Sequence, residues 1–364
     1  MFSLNKFSPR SFDWPLFLAA IFLVALGLTA IYSVDLSRGT SLFFFKKQLI
    51  AMSIGLVFLV VASLTQYTWF RAHAKLFYVA SLVLLVGVLL FGTTIRGARS
   101  WFVFGGFSFQ PLEVAKVGVI LLLAYIVYRF GRRFERPLFF VGTGLVTALV
   151  IGLIVLERDL GSAFIIGCVW FGIMILVGAR RVFMIAFVIA GIVLALFAWQ
   201  FILHDYQKER VRTFLNPERD ALGAGYNSTQ AIIAIGAGQW FGRGLARGSQ
   251  SQLRFLPEAQ TDFIFSVIGE ELGFAGVLVL IILFAILLWR LLVIVRKSNN
   301  DFAAVTVSGI AILFFVQFFV NVAANLGLLP ITGVTLPFVS YGGSSLIVNL
   351  GLIGIAESMV GKKY

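Results

Sequence analysis

Long apolar blocks separated by short polar segments make up most of the chain. The blocks are continuous runs of Leu, Ile, Val and Phe, most of them near the roughly 20 residues that a helix needs to cross a hydrocarbon layer about 30 Å thick. They lack the ten-residue alternation of membrane β-barrel strands. The pattern predicts an all-α integral membrane protein, with 1–364 as a single polytopic domain. About ten transmembrane helices are predicted, at Pro15–Ser33, Phe44–Ser63, Phe77–Phe91, Pro111–Tyr128, Leu138–Leu156, Gly161–Val177, Val182–Leu203, Phe263–Val295, Ala303–Leu326 and Ser340–Met359.

One long hydrophilic segment, residues 204–262, interrupts this pattern between the seventh and eighth spans. It mixes seven basic with six acidic residues and is rich in glycine. Apolar side chains recur in it, which favours a folded loop over a disordered one, because long loops in compact proteins are usually either functional or disordered. Within it, Ala231–Ile235 is predicted to form a short amphipathic helix on the membrane surface.

Composition agrees with a membrane protein. Hydrophobic residues make up 60% of the chain and charged residues 12%, about half of what a soluble domain carries. The net charge of +13 does not indicate nucleic-acid binding, since no basic and aromatic module accompanies it. Fifteen basic residues fall in segments on the side of the termini and six in the short opposite loops, which predicts cytoplasmic termini and an extracytoplasmic 204–262 loop.

Ionisable residues within membrane spans are costly and therefore candidate functional groups. Glu113 and Lys116 lie three residues apart on one face of the fourth span. One interpretation is a salt bridge that joins helices. The other is that Lys116 faces a cavity and neutralises an anionic substrate group, with Glu113 setting its position.

Carboxylates also occur where spans begin on the outer side. Asp159 follows the fifth span and can cap the sixth helix, although a surface turn needs polar residues in any case. Asp262 opens the eighth span, either as a helix-start carboxylate or as a general base at the mouth of an external cavity. Glu258, four residues earlier, is the alternative base.

Two further motifs have open interpretations. Glu270 and Glu271 lie inside the eighth span, and adjacent helical residues point in different directions, so we expect at most one to line a given cavity and the other to pair with a basic residue. Pro337 to Ser345 opens the tenth span with small and hydroxyl residues, including Ser344. Such a segment either lets helices pack closely or holds a phosphate at a helix start.

Ordered motifs over nearly the whole chain resemble the SEDS family (shape, elongation, division and sporulation), the RodA branch more than the FtsW branch. The family often has His where Gln260 stands here. The matching stretches are Arg99–Trp101, Gln110–Lys116, Asp159–Ala163, Phe214–Glu218, Gly223–Asn227, Ile233–Gly236, Leu256–Phe265, Glu270–Gly273, Leu328–Gly333 and Pro337–Ser345.

The resemblance implies a peptidoglycan glycosyltransferase of the bacterial cytoplasmic membrane that polymerises lipid II for cell-wall elongation and cell shape. It implies an inverting transfer with release of undecaprenyl pyrophosphate, and a class B penicillin-binding protein as partner. Asp262 is then the expected catalytic base. The implied substrate-binding candidates are Lys116, Glu113, Asp159, Arg210, Arg212, Glu258 and Ser344.

The candidate cofactor is a divalent cation, Mg²⁺ or Mn²⁺, that would assist the basic residues at the leaving pyrophosphate. Two other function classes stay open. A lipid II flippase would need polar groups through the whole membrane depth, whereas these groups cluster outside. A non-catalytic scaffold of a cell-wall complex would tolerate changes to the acidic residues of the loop.

Overall fold

The computed structural model describes residues 12–360 except 38, 40–41, 96–97, 106, 131–135, 202–207, 210–211 and 215–223. Apolar runs form long helices, and a small sheet lies between the third and fourth. The helices are α1 (Trp14–Ser37), α2 (Phe43–Leu64), α3 (Tyr67–Phe91), α4 (Pro111–Phe130), α5 (Pro137–Leu156), α6 (Leu160–Val177), α7 (Arg181–Phe201), α8 (Ala224–Ala237), α9 (Ser249–Gln252), α10 (Ile264–Lys297), α11 (Asp301–Asn325) and α12 (Gly343–Ser358). The strands are β1 (Thr93–Ile95), β2 (Ala98–Phe104) and β3 (Phe107–Phe109).

The multi-pass helical fold predicted from the sequence is confirmed. Within the described residues, eight helices are long and apolar enough to cross a membrane: α1 to α6, α10 and α11. The seventh and tenth predicted spans correspond to α7 and to α12, which has 16 residues. The tenth prediction starts too early because Ser340 to Gly342 are not helical and the helix begins at Gly343.

The third predicted span, Phe77–Phe91, is too short. Helix α3 begins at Tyr67 and has 25 residues. Its first turns carry Arg71 and Lys75, which lowered their apolar signal. These cations lie 4.5 Å from the ring centre of Tyr128 and 5.3 Å from that of Tyr125, and such cation–π contacts fix the polar end of α3 against α4.

The three-stranded antiparallel sheet, in the order β1-β2-β3, was not predicted. Its pairing register sets Thr94 opposite Arg99, and Val103 opposite Ser108. The main-chain N–H of Arg99 also donates to the carbonyl of Glu157 at 3.2 Å. The sheet is thereby attached to the turn between α5 and α6.

Helix α4 lies at the centre of the bundle. Most of its side chains are buried, and it contacts α3, α5, α6, α11 and α12. Helix α11 packs between α4, α6 and α10, while α12 packs along α2. The buried charges of α4 therefore lie in the least lipid-exposed part of the bundle.

Helix α10 is interrupted at Gly273, whose φ of 66° and ψ of −163° are accessible to glycine almost alone. Main-chain groups on both sides of the break bond to residues 239–244 instead. The pairs are Phe274 N to Gln239 O (2.8 Å), Ala275 N to Trp240 O (3.0 Å), Arg243 N to Glu270 O (2.9 Å) and Gly244 N to Glu271 O (3.0 Å). The long loop thus supplies main-chain hydrogen bonds that α10 cannot make within itself at the break.

Candidate functional site

A cleft with a volume of about 180 Å³ lies where the end of the long loop meets the start of α10. Asp262 and Glu258 both line it, so the structure brings the predicted base and its alternative together. The remaining lining residues come from the loop and from the segment after α11: Thr213, Phe214, Asn227, Ser228, Pro257, Phe263, Pro330 and Ile331. Carboxylates, hydroxyls and an amide therefore share one opening.

Two amides of α11 hold the main chain of Asp262. Its carbonyl accepts hydrogen bonds from Asn325 Nδ2 at 2.8 Å and Asn321 Nδ2 at 3.2 Å. Both asparagines are buried, Asn325 being 1% exposed. Asp262 is not itself helical, since α10 begins at Ile264. Its position is set by side chains of a neighbouring helix, which sequence spacing does not reveal.

The residues before Asp262 are fixed by the segment that precedes α12. Ser340 Oγ donates to the carbonyl of Thr261 at 2.6 Å, and Tyr341 N donates to that of Gln260 at 2.8 Å. The predicted 337–345 segment therefore has a structural role: it carries the loop of the cleft. Ser344, the second residue of α12, is buried and does not line the cleft.

Glu258 has a φ of 55°, in the left-handed region that non-glycine residues seldom adopt. Its carboxylate accepts a hydrogen bond from Gln260 Nε2 at 3.2 Å, and its carbonyl accepts one from Thr261 N at 3.0 Å. This tight turn directs the chain into Asp262. Where the family often has His, Gln260 thus bonds to the second carboxylate of the cleft.

Asp159 caps helix α6, as the sequence predicted. Its side chain accepts hydrogen bonds from Ser162 N at 3.0 Å and Ser162 Oγ at 2.7 Å. It does not line the cleft, but the same helix end lies beside the cleft's wall. A Cβ added to Gly161 would be 2.8 Å from the carbonyl oxygen of Thr332, which follows the lining residue Ile331.

Glu157, in the turn before Asp159, is fully buried, and neither carboxylate oxygen has a hydrogen-bond partner among the described residues. Burial, with a smaller contribution from the charge of Asp159, raises the pKa of Glu157 to about 8. Burial thus favours the protonated, neutral form of Glu157. In the sequence, nothing distinguishes Glu157 from a residue of an ordinary polar surface turn.

The Glu113 and Lys116 side chains form a buried ion pair. Lys116 Nζ lies 2.8 Å from Glu113 Oε1, and each side chain is 3% exposed. The second oxygen, Glu113 Oε2, has no hydrogen-bond partner among the described residues. The pair therefore lies within α4 itself, three residues apart, and does not join two helices. Neither residue lines the cleft.

The two predicted arginines are less informative. Arg212 is about half exposed and lies 3.5 Å from Glu209, a weak surface pair. It does not line the cleft, although the next residue, Thr213, does. Arg210 lies outside the described residues.

The expectation that one of Glu270 and Glu271 pairs with a basic residue is wrong, since neither forms an ion pair within the described residues. Both belong to one buried cluster, because Ser251 donates from its N–H to Glu270 at 2.9 Å and from its hydroxyl to Glu271 at 3.2 Å. Glu271 also accepts a 2.5 Å hydrogen bond from Ser33 on α1. The long loop folds back and supplies donors to both carboxylates, a tertiary contact invisible to helix periodicity.

Sequence reasoning also missed cleft residues. Thr213 is 3% exposed, and its hydroxyl has no hydrogen-bond partner within the described part of the chain. Asn227 and Ser228 lie in the first turns of α8, which is longer than the predicted Ala231–Ile235 and packs against α10. The Gly223–Asn227 motif was the available signal, but it did not indicate which side chain faces the cleft.

No group of three or more His, Cys, Asp or Glu side chains in the described residues could hold a metal ion. The two carboxylates of the cleft are nevertheless compatible with Mg²⁺. This ion usually binds through one or two carboxylates together with substrate phosphates and water.

Comparison with known proteins covers almost the whole chain. A family model described as "Cell cycle protein" (FTSW_RODA_SPOVE) matches residues 13–363. "Peptidoglycan glycosyltransferase MrdB" of Escherichia coli K12 is 36% identical over 93% of this chain and 91% of its own length. "Probable peptidoglycan glycosyltransferase FtsW" of Trichlorobacter lovleyi is 36% identical over 96% and 93%.

Solved structures agree in fold. The rod shape determining protein RodA of Thermus thermophilus superposes with a TM-score of 0.73 at 31% identity, covering 96% of both chains. A second chain belongs to a structure described as "Structural coordination of polymerization and crosslinking by a peptidoglycan synthase complex". It gives a TM-score of 0.84 at 32% identity and covers 96% of this chain and 97% of the other.

Proposed function

This chain belongs to the FtsW/RodA/SpoVE family and is a peptidoglycan glycosyltransferase; from that premise we propose that it polymerises lipid II with Asp262 as its general base. The observation that carries the assignment is the position of Asp262. It lines the cleft beside Glu258, and its main chain is held by Asn321 and Asn325.

The proposed reaction is a single displacement that inverts the sugar carbon. Asp262 accepts the proton of the acceptor 4-hydroxyl as that oxygen bonds to the anomeric carbon of the growing strand. The bond from this carbon to the pyrophosphate breaks, and undecaprenyl pyrophosphate leaves with the electron pair. A positioned base contributes roughly 10²- to 10⁴-fold to such a step.

Sugar recognition by the polar lining of the cleft supports the same proposal. Thr213, Asn227 and Ser228 place hydroxyl and amide groups beside the two carboxylates. The unsatisfied buried hydroxyl of Thr213 is suited to bond a sugar hydroxyl, since a buried polar group without a partner costs free energy.

Charge on the leaving pyrophosphate must also be neutralised. The basic residues Lys116, Arg210 and Arg212 remain our candidates for this. Asp159 and Ser344 remain candidates for other substrate contacts. Glu258 would hold a divalent cation, Mg²⁺ or Mn²⁺, together with the phosphate oxygens of the substrate. Bound there, the cation would offset negative charge on the leaving group.

The multi-pass chain is proposed to lie in the bacterial cytoplasmic membrane with both termini inside. The excess of basic residues on the side of the termini supports this orientation. We further propose a role in cell-wall elongation, with a class B penicillin-binding protein that crosslinks the strands. The relative solved in a peptidoglycan synthase complex supports such a partner.

The decisive experiment measures glycan polymerisation by purified protein on lipid II, with and without a class B penicillin-binding protein. Wild type is compared with Asp262→Asn, which keeps the size of the side chain and removes the base, and with Glu258→Gln. We expect long glycan from wild type and at least a 10²-fold loss in folded Asp262→Asn. If Asp262→Asn makes normal glycan and Glu258→Gln makes none, the base is assigned to Glu258 instead.

The same preparation tests the alternative functions. Transport of lipid II across vesicles without polymer would favour a flippase. No activity of either kind, with the partner present, would favour a scaffold.

A further inference from the structure

A second cavity, a groove of about 470 Å³, lies apart from the cleft and shares no lining residue with it. One face of α1 forms its floor, and it is almost wholly apolar. Its lining residues are Ala25, Leu28, Thr29, Tyr32, Ser33 and Leu36 of α1, Phe45 of α2, and Leu245 and Ala246 of the long loop.

The groove follows α1 for a length of about half the thickness of a hydrocarbon core. Ala25 to Leu36 corresponds to about 16 Å of helix rise at roughly 1.5 Å per residue, whereas the hydrocarbon core is about 30 Å thick. At the end of α1, Leu245 and Ala246 of the long loop complete its lining. Its dimensions suit a lipid chain that enters from one leaflet, and they are too short for a transmembrane helix.

The end of the groove nearest the loop carries positive charge. Lys46 follows the lining residue Phe45 in the first turn of α2, and Arg247 follows the lining residue Ala246. Both side chains are exposed. Each therefore reaches solvent within one residue of the apolar surface.

A third basic residue, Arg254, contacts the end of α1. Arg254 donates to the main-chain carbonyl of Ser37 at 3.4 Å, directly after the lining residue Leu36. The neighbouring acids are covered: Asp35 is fully buried and accepts from Phe45 N at 2.8 Å, and Glu271 is 1% exposed beneath Ser33. The described charges that face solvent here are basic, which complements a lipid with an anionic head.

Packing places the groove beside the catalytic loop. Phe44, next to the lining residue Phe45, stacks edge-on against Tyr341 with ring centres 4.9 Å apart. Tyr341 in turn donates its main-chain N–H to Gln260, two residues before Asp262. Phe44 and Tyr341 therefore connect the wall of the groove to the loop that carries the base.

We propose that this groove binds the polyprenyl chain of the acceptor lipid II, with its pyrophosphate at Lys46, Arg247 and Arg254. The inference rests on the proposed function. Each transfer joins two lipid-linked substrates. The donor's pyrophosphate is attached to the reacting carbon and must lie in the cleft, whereas the acceptor's reacting 4-hydroxyl is at the opposite end of its disaccharide from its pyrophosphate. Only the acceptor's anchor belongs at a site apart from Asp262.

The first test labels the groove directly. Wild-type protein in nanodiscs is irradiated with a polyprenyl pyrophosphate that carries a diazirine in its chain, and labelled peptides are identified. We expect label on 25–36 of α1, displaced by lipid II and not by phosphatidylglycerol. Thr29→Trp, which fills the groove, should reduce labelling about tenfold, the loss expected when a few methylene contacts are removed. Val83→Trp on lipid-exposed α3 is the matched control and should label as wild type.

The second test is kinetic and separates the two substrates. With preformed lipid-linked strand as donor, Thr29→Trp should lower kcat/KM for lipid II about tenfold and leave KM for the strand unchanged. Equal displacement of the label by phosphatidylglycerol, or unchanged kinetics in Thr29→Trp, would overturn the proposal. An effect confined to the donor strand would overturn the assignment to the acceptor.

Failure of the proposed function has a different signature. Asp262→Asn should keep the groove label while losing polymerisation. If wild type takes the label with the expected selectivity but makes no polymer with its partner present, the pyrophosphate-lipid groove stands and the glycosyltransferase mechanism fails.

Discussion

The side-chain amide of Asn325 donates a 2.8 Å hydrogen bond to the main-chain carbonyl of Asp262. Asn325 Oδ1 also accepts a 2.7 Å bond from the hydroxyl of Ser266 in the first turn of α10. One buried side chain of α11 thus holds the chain on both sides of the start of α10. The base in the cleft is positioned by a residue that does not line it.

Replacing Asn325 by Leu should therefore lower turnover while leaving the carboxylate in place. Displacement of a catalytic group by about 1 Å costs on the order of 10²-fold in rate. The Asp262 carbonyl keeps only the longer bond from Asn321, and the Ser266 hydroxyl, left without its acceptor, costs about 1–3 kcal/mol of stability. Polymerisation kinetics and thermal unfolding measure the two effects. Gln317→Leu, a buried amide on the same helix whose Oε1 has no hydrogen-bond partner among the described residues, is the control and should retain activity.

The ion pair of α4 has separable structural and substrate roles. Lys116→Met leaves the Glu113 carboxylate buried and unpaired, which costs about 3–5 kcal/mol. The double variant Lys116→Met with Glu113→Leu removes both charges and should recover most of that stability. If Lys116 binds substrate phosphate, the double variant folds but polymerises poorly. Wild-type turnover in a stable double variant would show the pair to be structural only.

Loop docking against α10 depends on a glycine. A Cβ at Gly238 would overlap the carbonyl oxygen of Gly269, whereas one at Gly236 meets nothing within 4 Å. Gly238→Ala should loosen the 239–244 segment, raising proteolysis in the loop and lowering activity. Gly236→Ala, inside α8, should be neutral or stabilising by up to about 1 kcal/mol through helix propensity. Equal protease sensitivity of the two variants would contradict this account of the contact.

The raised pKa of Glu157 predicts that the stability of the protein depends on pH. Its folded-state pKa of about 8 exceeds the ordinary value of 4.5, so the folded state binds a proton that the unfolded state releases between these values. Stability attributable to Glu157 is present below pH 4.5 and is lost as pH rises to about 8. In Glu157→Gln the free energy of unfolding should fall less with rising pH. Between pH 5 and pH 9 the difference in this free energy between variant and wild type should shift in favour of the variant by more than about 1.4 kcal/mol, the equivalent of one pKa unit.

Thermal unfolding in one detergent at several pH values tests this prediction. Asp301→Asn, which removes an exposed carboxylate at the start of α11, serves as the control variant. Parallel stability curves for wild type and Glu157→Gln would remove Glu157 as the source of the pH dependence.

Local pattern predicted the helices and the cap at Asp159, because hydrophobic run length and N-cap chemistry are properties of adjacent residues. It failed where distant residues decide the structure. Ser251 brings Glu270 and Glu271 into one cluster across about 20 positions of sequence, and the donors to Asp262 come from about 60 positions further on. The prediction of where α3 begins was wrong for a different reason. Arg71 and Lys75 lower the hydrophobicity of its first turns, so the amphipathic end of the helix was not recognised.

The cleft was predictable only in part. Its two carboxylates were candidates because they precede a membrane span, but Thr213 is an ordinary residue in sequence, and its burial beside Asp262 depends on tertiary packing. The sheet at Thr93–Phe109 had a recognisable signal, alternating aromatic residues around a Gly-Gly pair, that the dominant helical pattern obscured.

The break at Gly273 bears on how the protein is made. Residues 239–244 leave the ribosome before α10, so the segment that completes the interrupted ladder is synthesised ahead of the helix that needs it. A polypeptide containing α10 alone would enter the bilayer as a continuous helix, because no other backbone partner is present in hydrocarbon. The kinked form therefore depends on the docked loop, and the shape of this membrane helix is set by a segment outside it.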